Sequence, residues 1–167
     1  MDDTLPYDLD FVIISSVNGI FGSRGWANYT AENAFKDGLA HYRISLAQKA
    51  VSIDLGLLVN GGAVAENQYL MDVMRRVGYL MDIEDDGFIA LMDRYCDAIP
   101  MTLSQTEAQV LMSIETASAV RAKAIKLHQS MYRPMFRHLF RTKSHAADGT
   151  SSSSHAKNTT VVDRLTV

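Results

Sequence analysis

Two short apolar runs bracket one long amphipathic segment, and this arrangement constrains the fold more than any other feature of the sequence. The runs, residues 11–15 and 50–55, have the length and the β-branched content of buried strands. Between them, residues 28–48 place apolar side chains at steps of three and four, which predicts a helix. A strand, a helix and a strand in this order predict a parallel pair in an α/β fold.

The loop after the first strand is rich in glycine and leads into a helix that carries polar side chains. Three glycines lie within residues 16–26, and glycine adopts turn conformations that other residues resist. Tyr29 and Asn33 follow four positions apart, and therefore lie on one face of the helix. This segment can bring the hydroxyl of Ser16, the phenol of Tyr29 and the carboxamide of Asn33 to one end of a sheet.

These groups suit the reduction of a carbonyl. Hydride that arrives at carbon leaves negative charge on oxygen, so the site needs a donor aimed at that oxygen and an acid to protonate it. A phenol serves as such an acid where a nearby cation or dipole lowers its pKa from about 10. Ser16 can polarise the carbonyl, and Tyr29 can donate the proton.

The segment SSVNGIFGSRGWANYTAEN, residues 15–33, resembles the serine-to-tyrosine segment of short-chain dehydrogenase/reductases. More narrowly, it resembles the C-terminal half of the ketoreductase domain of fungal highly reducing polyketide synthases. These ketoreductases carry asparagine four residues after the tyrosine, where ordinary reductases carry lysine. The resemblance implies Ser16, Tyr29 and Asn33 as catalytic residues, with Asn33 supporting the tyrosine or a water.

The same resemblance implies a partial Rossmann-like α/β domain, the C-terminal half of a parallel sheet with flanking helices. The ketoreductase portion would occupy residues 1–141, whereas the Ser- and Thr-rich composition of residues 142–167 predicts a flexible linker or tail. The implied cofactor is NADPH, with Leu57, Leu58 and Val59 in the loop beside its nicotinamide. The implied substrate is a carrier-bound β-ketoacyl group.

Two departures from the family pattern stand out. Trp26 occupies the position, three residues before the tyrosine, where the family usually has glutamine, so the substrate environment is expected to differ. The family's dinucleotide loop and catalytic lysine belong to earlier elements of the fold, and no G-x-G-x-x-G motif opening a βαβ unit occurs in these 167 residues. We therefore expect negligible NADPH binding by this chain alone.

Two functional hypotheses remain open from the sequence. In the first, the chain is the catalytic half of an NADPH-dependent β-ketoacyl reductase, completed by the missing N-terminal half from another chain or exon. In the second, it is a non-catalytic remnant or a structural piece that docks onto a polyketide synthase. A sheet of at most three strands, with one edge left unpaired, favours the second hypothesis for the chain alone.

The later segments predict further helices and one more strand. Helices are expected at residues 67–77 and from Ile83 or Glu84 to Ile99, and a strand at residues 109–114. Residues 115–128 have enough Ala, Lys and Arg to form a helix instead. The basic and aromatic segment at residues 132–140 is explained by a docked terminal segment better than by a nucleic-acid site.

Composition excludes several classes of protein. The net charge of −3 argues against a nucleic-acid partner, and the absence of an apolar run of about 18 residues or an apolar leader argues against membrane insertion or secretion. A lone Cys96, expected to pack within a helix, favours a reducing, cytoplasmic location. The five histidines show no metal-binding spacing, so no metal is expected. Asp37 and Asp54 are expected to be solvated or capping groups.

Overall fold

The computed structural model describes residues 11–96 and 104–140. Between and after its helices and strands lie short 3-10 turns at Gln105–Glu107, Gln129–Tyr132 and Pro134–Phe140. In chain order the elements are β1 (Phe11–Ser16), α1 (Asn18–Phe21), α2 (Ala27–Ser45), β2 (Ala50–Leu55), β3 (Leu57–Leu58), α3 (Gly62–Ala65), α4 (Gln68–Val77), β4 (Asp82–Ile83), α5 (Asp85–Cys96), β5 (Gln109–Leu111) and α6 (Ala117–Ala122).

The main sheet is parallel and has the strand order β1-β2-β5. Its central strand, β2, pairs Asp54 with Ser15 of β1 and with Leu111 of β5. A second, two-stranded parallel sheet joins β3 to β4, with Leu57 opposite Asp82. The predicted α/β class, a partial Rossmann-like parallel sheet with flanking helices, is therefore confirmed.

Most predicted elements are present, with shifted ends. The predicted helix at residues 28–48 is α2, and β2 has the predicted bounds. The glycine-rich loop contains the short helix α1, which was not predicted because four residues carry too little periodicity. Residues 109–128 contain both alternatives in sequence, since the strand β5 precedes the helix α6. Predicted helix residues 97–99 and the predicted tail lie outside the described residues.

The strand β2 is buried on both faces, and its two faces differ in chemistry. Val51, Ile53 and Leu55 pack into an apolar cluster with Leu91 of α5. Side chains alternate along a strand, so Ser52 and Asp54 point to the opposite face, against α2. All six residues of β2 are buried, and the polar ones therefore need partners inside the protein.

A second apolar cluster ties the end of the described chain to its beginning. The ring of Phe136, which is fully buried, stacks on Phe21 with centroids 4.9 Å apart, and Phe21 in turn stacks on Tyr79 at 4.4 Å. The Ser130 hydroxyl donates to the Phe21 carbonyl at 3.2 Å. The segment after α6 is thus docked on the core, as the sequence predicted.

The helix α2 exposes apolar side chains on the side that faces away from the sheet. Phe35, Tyr42 and, just beyond the helix end, Leu46 are exposed. Gly38 lies exposed, and an added Cβ would meet nothing within 4 Å, so this glycine does not mark close packing on the sheet. Cys96, the last residue of α5, is exposed as well, so the expected packing of its side chain was wrong. Among the described residues, the length and hydropathy needed for a membrane-spanning helix are not found.

Replacing Phe136 by alanine tests the docking of the terminal segment. The variant removes a fully buried ring from the Phe21–Tyr79 stack, so we expect the free energy of unfolding to fall by about 3–5 kcal/mol. Tyr132→Ala is the matched control, because Tyr132 is 63% exposed and should cost less than about 0.5 kcal/mol. Urea unfolding followed by circular dichroism measures both, and equal losses would contradict the docking.

Candidate active site

The hydroxyl of Ser16 lies at the carboxyl end of β1, where the chain leaves the sheet. Its Oγ accepts a hydrogen bond from the backbone N–H of Asn18 at 3.3 Å. A serine hydroxyl has one proton and two lone pairs, so accepting this bond leaves the proton free to donate elsewhere. Ser16 is thereby oriented by α1 while keeping the donor that a carbonyl oxygen would need.

Tyr29 lies in the first turn of α2, with its side chain 37% exposed. Its ring packs edge-on against Trp26, with centroids 5.7 Å apart and an interplanar angle of 74°. Trp26 is the residue just before α2 begins. The residue that departs from the family pattern is therefore a direct neighbour of the predicted acid.

Asn33 is buried, and its carboxamide is used inside the protein. Its Nδ2 donates to the backbone carbonyl of Tyr29 at 2.8 Å. The Ser15 hydroxyl lies 3.3 Å from the Asn33 carbonyl and 3.4 Å from its Oδ1, and donates to both. Asn33 thus touches Tyr29 through the backbone, which is the geometry of a residue that positions the tyrosine.

A second polar bridge joins the loop to α2 and was missed from the sequence. The Thr30 hydroxyl donates to Asn18 Oδ1 at 2.6 Å, and Asn18 Nδ2 donates to Ser23 Oγ at 3.0 Å. Together with the Ser15–Asn33 contact, this bridge holds the first two turns of α2 against the end of β1. One signal was available for Ser15: adjacent strand residues face opposite ways, so Ser15 and Ser16 cannot share one role.

Of the three predicted site residues, Asn33 and Tyr29 are directly hydrogen-bonded, whereas Ser16 is linked to Tyr29 only indirectly. Asn33 bonds directly to Tyr29, whereas within residues 11–96 and 104–140 no hydrogen bond joins the Ser16 hydroxyl to the Tyr29 hydroxyl. Their link runs through Asn18 and Thr30. Ser16 and Tyr29 as catalytic residues remain predictions.

The loop predicted to lie beside the nicotinamide forms part of the small sheet. Leu57 is buried and pairs with β4, as does the less buried Leu58. The Val59 N–H donates to the Ile83 carbonyl at 3.2 Å. These backbone groups are engaged within the protein, and cofactor contact by Leu57, Leu58 and Val59 remains a prediction.

Two carboxyl groups lie between α2 and the sheet, and the expectation that they are solvated or capping was wrong. Asp37 is 7% exposed and Asp54 is fully buried. Asp37 Oδ1 accepts from the Ser52 hydroxyl at 2.7 Å, and Asp54 Oδ2 accepts from Gln109 Nε2 at 2.7 Å. Burial, followed by the nearby charge of Asp37, raises the pKa of Asp54 to about 8.

Ser16 and Tyr29 lie on neighbouring segments near the end of β1. The 167 residues hold no G-x-G-x-x-G motif for the pyrophosphate of a dinucleotide cofactor. Nor does the described part of the chain contain a cluster of three or more His, Cys, Asp or Glu side chains able to hold a metal ion.

Comparisons with known proteins show which proteins this chain is similar to. The family model described as "KR domain" matches residues 2–60. "Highly reducing polyketide synthase 40" of Fusarium mangiferae is 32% identical over 152 residues, covering 86% of this chain and 6% of that protein. "Reducing polyketide synthase pksF" of Alternaria solani is 31% identical over 155 residues, covering 92% of this chain and 7% of that protein.

Among solved structures, "Structure of A-type Ketoreductases from Modular Polyketide Synthase" has a TM-score of 0.54 and 23% identity, over 68% of this chain and 22% of that chain. That likeness shows the fold alone, a partial Rossmann-like α/β domain. The match to the ketoreductase domain model covers residues 2–60, and the chain resembles the C-terminal half of the ketoreductase domain of a fungal highly reducing polyketide synthase. It spans only 6% and 7% of the length of the two synthases described above.

Gly19 sets how closely α1 approaches α2, and substitution tests that approach. A Cβ at Gly19 would lie 3.0 Å from the Ala34 nitrogen and 3.1 Å from Asp37 Oδ2. We expect Gly19→Ala to push α2 away from the loop and to lower the free energy of unfolding by about 1–3 kcal/mol. The change is measured by urea unfolding.

Gly38→Ala is the matched control on α2. Its added Cβ meets open space in the interior of a helix, so we expect it to raise the free energy of unfolding by about 0.5–1 kcal/mol. Destabilisation by Gly38→Ala, or a neutral effect of Gly19→Ala, would contradict the packing described here.

Proposed function

We propose that this chain supplies the carbonyl-polarising and proton-donating part of a β-ketoacyl reductase. The observation that carries the proposal is the pair of polar bridges, Ser15–Asn33 and Asn18–Thr30, between the end of β1 and the first turns of α2. These bridges put a free serine donor and an exposed phenol on neighbouring segments at one end of a parallel sheet. Ligands of open α/β sheets bind at such carboxyl ends.

The reaction would be the reduction of a β-ketoacyl thioester to the β-hydroxyacyl thioester. Ser16 would donate a hydrogen bond to the ketone oxygen and so polarise the C=O bond. As hydride forms the new C–H bond, the oxygen gains the electron pair of the C=O π bond, and Tyr29 would protonate it. Asn33 would hold the backbone of Tyr29 and would act as a positioning residue. NADPH, when bound, supplies the hydride.

The substrate proposed is a carrier-bound β-ketoacyl group, and the proposed partner is the remainder of a ketoreductase within a polyketide synthase. Three features support this. The relatives are named as reducing polyketide synthases, and this chain matches a small part of each. The strand β1 lies at an edge of the main sheet with Ile14 exposed, and α2 exposes Phe35 and Tyr42. Apolar patches and open strand edges of this kind mark surfaces that pair with other structure.

A second candidate is a non-catalytic piece that docks onto a synthase. It is favoured by the lack of a dinucleotide motif in the sequence, since a reductase without bound cofactor has no hydride source. The two candidates make opposite predictions once the N-terminal half of a related ketoreductase domain is added.

Cofactor titration tests the chain by itself. Because the pyrophosphate motif is lacking, we expect NADPH fluorescence to change negligibly when the purified 167-residue chain is added at micromolar concentration. A micromolar Kd would contradict the proposed division of the site between two parts.

Complementation tests the assigned acid. A mixture of this chain with the N-terminal half of the ketoreductase domain of a related synthase should reduce a β-ketoacyl thioester, followed by NADPH oxidation. Tyr29→Phe removes the proton donor and should lower kcat by about 10²–10⁴-fold. Tyr42→Phe, on the exposed outer face of the same helix, should keep the rate.

Full activity of Tyr29→Phe would reject Tyr29 as the acid. A mixture that binds the two halves together, as shown by co-elution, but never oxidises NADPH would favour the docking candidate.

A further inference from the structure

The interface between α2 and the main sheet is unusual because much of it is polar. Asp37 and Asn33 from α2 meet Ser15 of β1 and Ser52 and Asp54 of β2, and all five side chains are buried. Gln109 of β5 closes the set by donating to Asp54 Oδ2. These side chains all have hydrogen-bond partners. One of their atoms, Asp54 Oδ1, is nevertheless buried without a hydrogen-bond partner.

The orphan atom belongs to a carboxyl group that has another carboxyl group, and no cation, beside it. Asp54 is fully buried, and the polar groups that act on it are Asp37, Gln109 and Ser15, none of which is a cation. Two buried carboxylates that lie close together cannot both ionise cheaply, because each penalises the charge of the other. A proton on one carboxyl removes this repulsion and can form a hydrogen bond to the other.

We propose that Asp37 and Asp54 share one proton, and that Asp54 thereby acts as a positioning residue for Tyr29. The proton on Asp54 Oδ1 satisfies the orphan atom and points toward the Asp37 carboxylate. The shared proton ties α2 to the central strand of the sheet. The link to catalysis rests on the proposed function, whereas the shared proton itself does not.

The path from the carboxyl pair to the phenol is short and is made of described contacts. Asp37 lies one helical turn after Asn33, and Asn33 Nδ2 holds the carbonyl of Tyr29. On the sheet side, Asp54 lies opposite Ser15, whose hydroxyl donates to the Asn33 carbonyl and Oδ1. If the two carboxyls moved apart, the start of α2 would therefore move as well, because it is linked to Asp37 through Asn33 and to Asp54 through Ser15.

Asp37 is also confined sterically, on the side that faces Gly19 of α1. Asp37 Oδ2 lies 3.1 Å from the position that a Cβ on Gly19 would take, so the loop packs directly against this carboxyl. Asp37 is thus confined between α1 and β2, where Ser52 holds its other oxygen at 2.7 Å. The carboxylate of Asp37 has little room to turn away when Asp54 ionises, so the repulsion has to be relieved by movement of α2.

The titratable groups that face Asp54 are Asp37 directly and His41 through Gln109. His41 Nε2 lies 3.4 Å from Gln109 Oε1, while Gln109 and Ser15 are themselves neutral. Because this contact joins a titratable side chain to Gln109, His41 needs its own control.

The sign of the pH dependence follows from where the proton is held. The folded-state pKa of Asp54 is raised to about 8, and an unfolded aspartate has a pKa of about 3.9. The stabilisation is complete below about pH 4, and it is lost as the pH rises toward the folded pKa. Between these values the unfolding constant should rise by up to tenfold per pH unit.

The first experiment locates the proton in the full 167-residue chain. Carbon-13 NMR of aspartate side chains should show one buried carboxyl that stays protonated from pH 5 to pH 7 and titrates near pH 8. If every aspartate signal has the chemical shift of an ionised carboxylate by pH 6, the proposal is overturned.

The second experiment measures the consequence for stability with three variants. Urea unfolding of the wild type from pH 4.5 to 8.5 should show the unfolding constant rising, and Asp54→Asn should abolish most of that rise. Asp93→Asn, an exposed aspartate of α5, and His41→Gln should keep it. A wild-type slope that survives in Asp54→Asn, or that disappears in His41→Gln, would overturn the proposal.

The third experiment tests positioning with a probe that lies beside Tyr29. Trp26 is the only tryptophan of the chain and packs against the Tyr29 ring, so its emission reports the start of α2. The emission should change between pH 7 and 9 in the wild type and in Asp93→Asn, and stay constant in Asp54→Asn. Constant emission in the wild type would overturn the positioning role, independently of whether the complemented reductase is active.

Discussion

The structure depends on the way that buried polar side chains fasten α2 to the sheet. A buried hydroxyl, amide or carboxyl without a partner costs more than a typical hydrogen bond gains, so such groups restrict a helix to one position on its sheet. Ser15 of β1 bonds to Asn33 of α2 and Ser52 of β2 bonds to Asp37 of α2, while Gln109 of β5 bonds to Asp54 within the sheet. An apolar interface of the same area would tolerate sliding of α2 far better.

This fastening explains how a chain with a three-stranded main sheet keeps a candidate site in order. The apolar cluster around Ile53 and Leu91 covers one face of β2, and the polar contacts cover the other. Phe136 stacks on Phe21, the last residue of α1, and so holds the segment that leads into α2. Ser16 and Tyr29 therefore lie on neighbouring segments that are joined by two contacts, Ser15–Asn33 and Asn18–Thr30.

The regular elements were readable from local patterns, and the long-range polar contacts were not. The apolar, β-branched run of β2 and the helical period of α2 are local properties, and both elements lie where they were expected. The burial of Asp54 depends on Gln109, which is 55 positions away in the sequence. A single sequence carries no signal for such a pairing, so aspartates were expected at the surface, where most of them lie.

The candidate site, too, could be predicted from the sequence only in part. Ser16 and Tyr29 were recognised because their spacing and surroundings resemble a known family. Asn18 and Thr30, which connect the two segments, belong to the same stretch but carry no chemistry that marks them. Only the fold shows that Asn33 uses its carboxamide on the backbone of Tyr29.

We expect α2 and β2 to form one cooperative unit, which amide hydrogen exchange of the 167-residue chain can measure. Amides of residues 33–43 in α2 should be protected to the same degree as those of β2, and both should exchange only through global unfolding. Exchange of the α2 amides that is a hundredfold or more faster, while β2 stays protected, would contradict it.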